Sequence, residues 1–122
     1  MSTLNVANIT DGTTTVGTSY VVNGSAKAWC CYNGTGTAAI TESFNFSSIT
    51  DSNTGSHSAY LTNNMSSSTY SAVGSTGESN TGGIVRIGGT AANNVYVNTR
   101  VCSSAGLYDD EKVRLNITGD LA

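Results

Sequence analysis

Apolar residues along this chain come in short bursts, and within a burst they alternate with polar ones. Residues 83–88 (GIVRIG) set Arg86 between Val85 and Ile87, and residues 94–101 (NVYVNTRV) put Val95, Val97 and Val101 on one side. A period of two marks a half-buried strand. The same reading gives strands at 4–9, 13–22, 26–32, 38–46, 57–62, 69–73 and 112–117, with Ile40, Phe44 and Phe46 sharing a face of the 38–46 strand. Turn signals separate the bursts at Asn33-Gly34, Asn53-Thr54-Gly55, Gly74–Gly77, Gly82-Gly83, Gly88-Gly89 and Ala105-Gly106. Strands and turns at this spacing predict an all-β chain: an antiparallel β-sandwich, jelly-roll-like, with very little helix.

The first 22 residues stand apart. They are polar and poor in large side chains, so they read as an extended N-terminal arm or stalk (1–22) leading to a head domain (23–122). Composition explains what the arm is for. Ser, Thr, Asn and Gly supply 62 of the 122 residues, while Leu, Ile, Val and Phe supply only 23. So few aliphatics approach the disordered range, but the net charge of −3 gives little self-repulsion. A small domain with a thin core gains most from sharing apolar surface with copies of itself. Proline, a common guard of sheet edges, is absent altogether, so edges are left to charges, bulges or partner strands. The expectation is a homotrimer in which Leu4, Val6, Ile9, Val16 and Tyr20 are buried between copies and Trp29, the single Trp, anchors the core or the subunit interface.

Candidate chemistry is sparse. Gly34-Thr35-Gly36-Thr37-Ala38-Ala39 spells a dinucleotide fingerprint, but β-branched and aromatic residues follow it where a helix would be needed, so it reads as a hairpin turn. Asp51-Ser52-Asn53-Thr54-Gly55 opens like a calcium loop without the downstream Glu, and reads as another hairpin turn. His57 is the only His; with no catalytic signature around it, and only Asp51 as an orienting acid, a surface or edge-strand position is expected. Asp109-Asp110-Glu111, next to Lys112 and Arg114, reads as a solvated acidic run. Cys30 and Cys31 point to opposite faces of their strand; a bridge from either to Cys102 is the alternative to three reduced thiols. The basic residues are scattered singly, which argues against nucleic acid, and no apolar run spans a bilayer. No catalytic, cofactor-binding or metal-binding residues are assigned. Tyr32, Tyr60, Tyr70, Tyr96 and Tyr108 are candidates for exposed rings that could stack on sugars.

Wording as well as pattern is informative in residues 24–51. Gly24–Trp29 (GSAKAW), Tyr32–Thr37 (YNGTGT) and Ser43–Asp51 (SFNFSSITD) resemble a family of small virion proteins and fibre-terminal domains of tailed bacteriophages, frequent in phages of marine bacteria and cyanobacteria. The opening Met1–Ile9, then Gly55, Thr62, Met65, Tyr70 and Gly74, and the closing Val113–Asp120 continue the likeness. The chain departs from that pattern at Cys30-Cys31-Tyr32, at His57 and at Ser66, where the family tends to carry Val-Asn-Phe, an aromatic and a proline. The resemblance implies a non-enzymatic, trimeric structural protein on the phage particle surface, a capsid decoration protein or short fibre contacting other capsid or tail proteins. The alternative it implies is a fibre-tip module recognising host surface carbohydrate.

Overall fold

The computed structural model describes residues 1–77, 83–104 and 106–122. The chain is β-rich, with antiparallel pairing throughout. A small hairpin comes first, β1 (Asn8–Thr10) with β2 (Thr15–Gly17), followed by one short helix, α1 (Thr18–Gly24). Two four-stranded sheets follow. The first has the order β4-β3-β10-β7, from β3 (Ala26–Asn33), β4 (Ala39–Phe44), β7 (Ser71–Thr76) and β10 (Val113–Thr118). The second has the order β5-β6-β9-β8, from β5 (Phe46–Asn53), β6 (Ser56–Leu61), β8 (Gly83–Ala91) and β9 (Asn94–Val101).

Both sheets contribute to one core. The first supplies Ala28, Cys30, Tyr32, Val113, Leu115 and Ile117; the second supplies Phe46, Ala59, Leu61, Val95 and Val97; Met65 joins from the β6–β7 connection. The alternation is as expected in β8, where Val85 and Ile87 are half-buried and Arg86 is exposed. It holds in β3 too, with Cys30 buried and Cys31 half-exposed. All three cysteines are free thiols, and Cys102 is exposed.

Several expectations are corrected. Residues 38–46 are not one strand. Asn45 takes a left-handed conformation (φ 59°), and there the chain leaves the first sheet as β4 and enters the second as β5. Asn tolerates that conformation because its short polar side chain finds local partners: Asn45 Oδ1 accepts from the backbone N–H of Asn63 (2.7 Å). Phe44 and Phe46 therefore lie on different sheets, Phe44 exposed and Phe46 buried. The polar run 47–53 continues β5 as an edge strand, while Gly74–Thr76 is strand and not turn, and Gly88-Gly89 lies within β8 at a shift in its register against β9. Gly82 and Ala105, each half of an expected turn, lie outside the described residues.

The arm is not extended throughout. Residues 18–22 fall in α1, whose seven residues are too few to display a helical period in sequence. Thr18 fixes its start: the Thr18 N–H and hydroxyl both donate to the Ala7 carbonyl, at 2.9 and 3.0 Å. The Ser25 N–H donates to the Val21 carbonyl at the other end (3.1 Å).

Candidate assembly surface

Trp29 does not enter the core. Register places it directly opposite Phe44 on β4 and Asn116 on β10, and Asn116 lies opposite Val73 on β7. Directly paired residues project to the same side of a sheet. The row Phe44–Trp29–Asn116–Val73 thus crosses the outer face of the first sheet, with Glu42–Cys31–Arg114–Ser75 as the row beside it. Phe44, Trp29 and Val73 are 55%, 38% and 61% exposed, an apolar strip that the head itself leaves open. Between Trp29 and Val73 the face is grooved, with a volume of about 460 Å³ lined also by Cys31, Ser75, Arg114 and Asn116.

The arm is the second uncovered apolar surface. Leu4, Val6, Ile9, Val16 and Tyr20 are all exposed, as are Val21 and Val22, and no residue from 1 to 24 is buried. Its shape is nonetheless defined. Asp11 Oδ1 accepts from the N–H groups of Thr14 (2.7 Å) and Thr13 (2.9 Å), and these bonds hold its carboxyl below the usual carboxylate range. Lys27 Nζ donates to the Val22 and Ser25 carbonyls, tying the end of α1 to the start of β3.

His57 is the chief miss of the sequence reading. Far from a surface or edge position, it lies in β6 between β5 and β9 and is fully buried. Its ring meets Tyr32 edge-on (centroids 5.4 Å, interplanar angle 66°), and neither ring nitrogen has a hydrogen-bond partner. A base–acid pair with Asp51 does not form. Tyr32 is also fully buried and so presents no ring to a ligand; burial drives its phenol pKa upward. Tyr60, Tyr70 and Tyr108 are half-buried, and Tyr96 alone of the five reaches the exposed range.

The acidic run is solvated only in part: Glu111 is exposed, Asp109 half-buried. Asp110 is buried, accepting from the Lys112 N–H (2.8 Å) and the Tyr108 hydroxyl (2.9 Å), while Asp109 accepts from the Gly55 N–H (2.6 Å). Asp109 thus fastens the β9–β10 connection to the β5–β6 turn, while the carboxylate bonds of Asp110 stay within that connection. Spacing gave no sign of the clamp, because the partner of Asp109 is a backbone N–H 54 residues away. Gly55 and Gly36, both with φ 64°, occupy the two hairpin turns as expected. Comparison with protein-family models, curated proteins and solved structures gives no match for the chain.

Proposed function

We propose that this chain is a non-enzymatic structural protein of a phage particle, a capsid decoration protein or short fibre. In this reading its two sheets are the layers of a jelly-roll-like sandwich head, standing on the virion surface as a homotrimer docked through the arm. The observation that carries the reading is the arm: a defined hairpin and helix that keep five large apolar side chains in water, with Leu4 and Val6 exposed on the segment before them. A structured segment of that kind is made to be covered by another molecule. The likeness of residues 24–51 to phage virion proteins supports the particle as the setting. Light scattering on the full chain tests the assembly: a mass of three copies is expected, and a stable monomer at high concentration overturns it. Cryo-electron microscopy of the particle tests the setting, with density for three heads at each attachment point as the expected result. The alternative of a host-glycan reader rests on the exposed aromatic side chains Trp29, Phe44 and Tyr96 and is tested on a glycan array.

A further inference from the structure

The arm and the outer face of the first sheet are both uncovered apolar surfaces among the described residues, and each has what the other lacks. We propose that the outer face of the first sheet is the docking site for the N-terminal arm of a second copy, residues 1–7 crossing the groove between Trp29 and Val73. This rests on the assembly reading above and says where the contact is made.

Length is the first argument. Crossing four strands takes about 14 Å at the usual strand spacing, and seven extended residues reach about 23 Å, so the segment before the β1–β2 hairpin can span the whole face. Chemistry is the second. Leu4 and Val6, two apart, project to one side of an extended segment, as the apolar walls of the groove require. Among the described residues the backbone of residues 1–5 makes no hydrogen bond, and the groove offers the Asn116 amide, the Ser75 hydroxyl and the Arg114 guanidinium. The third argument is direction. Lys27 fastens α1 at the start of β3, the strand that bears Trp29, and the arm's apolar residues lie exposed, clear of the face beside its own root. A neighbour's face is therefore the one it meets. A contact from the arm of one copy to the face of the next is head-to-tail, and it closes when the copies form a ring.

Cysteine cross-linking on the full chain tests this directly. In a Leu4→Cys, Cys102→Ser variant, the introduced thiol sits beside the neighbour's Cys31. Mild oxidation is expected to give a covalent ladder ending at three copies, lost when Cys31→Ser is added. In a second measurement, Leu4→Ser with Val6→Ser should open Trp29 to acrylamide quenching and weaken association about 100-fold, since each buried aliphatic side chain is worth about 1.5–3 kcal/mol. A three-copy mass without the ladder, or with Trp29 quenched equally in both forms, overturns the docking site and leaves the assembly standing. A monomeric full chain overturns both.

Discussion

His57 shows how far a single residue's role depends on neighbours that the sequence does not name. As the only His in a polar chain it has the signature of a surface residue, yet the β5-β6-β9 pairing carries it inside, against Tyr32. Gly34 makes the room, since a Cβ there would lie 2.9 Å from His57 Cε1. With both ring nitrogens unpartnered, the position uses the ring's volume and not its polarity. An unsatisfied buried polar group costs about 1–3 kcal/mol, so His57→Leu should raise the thermal midpoint. His57→Ala should lower it by the few kcal/mol of a cavity. Equal losses in both variants would mean that a ring nitrogen is bonded after all.

Among the elements, those with clean alternation were legible and those set by partners were not. Val95 and Val97 announce β9, and Val113, Leu115 and Ile117 announce β10, because one face of each strand fills the core. The run 47–53 shows no such pattern because β5 is an edge strand with only Phe46 buried. Helix α1 was missed because Tyr20, Val21 and Val22 carry strand-like side chains, and the bonds from Thr18 that begin the helix reach back to Val6 and Ala7. The exposed strip on the first sheet was half legible: Trp29 was marked as an anchor, but its partners Phe44 and Val73 become visible only through register. The β5–β6 turn offers the sharpest test at this scale. Gly55 has φ 64°, and a Cβ on it would lie 2.7 Å from backbone atoms of Tyr108. Gly55→Ala should therefore cost more than the roughly 1 kcal/mol of a left-handed alanine alone. Asp109→Ala, which strands the Gly55 N–H, should cost about 1–3 kcal/mol. Urea unfolding of the two variants measures both, and a wild-type midpoint in either would remove the clamp from the account.

For the whole molecule, the core holds acids that resist ionisation. Burial, reinforced by the neighbouring Cys31, pushes the Cys30 thiol from 9.0 up to about 12; burial lifts Tyr70 from 10.0 to about 12, and Tyr32 is raised as well. An acid whose pKa is higher folded than unfolded gives up its proton more readily once the chain opens. Its contribution to stability is complete below the unfolded value and is lost as pH climbs towards the folded one. The thermal midpoint should accordingly be flat near neutrality and fall between about pH 9 and pH 12, and an alkaline-stable midpoint would contradict the burial described here. The pairing order of the first sheet has a further consequence, for the time at which the protein can exist. Strand β10 lies between β3 and β7, so the middle of that sheet is supplied by residues 81 to 92 positions after their partners in β3. During synthesis β3 must wait, one edge open, until β10 has been made, and contacts so distant in sequence form slowly.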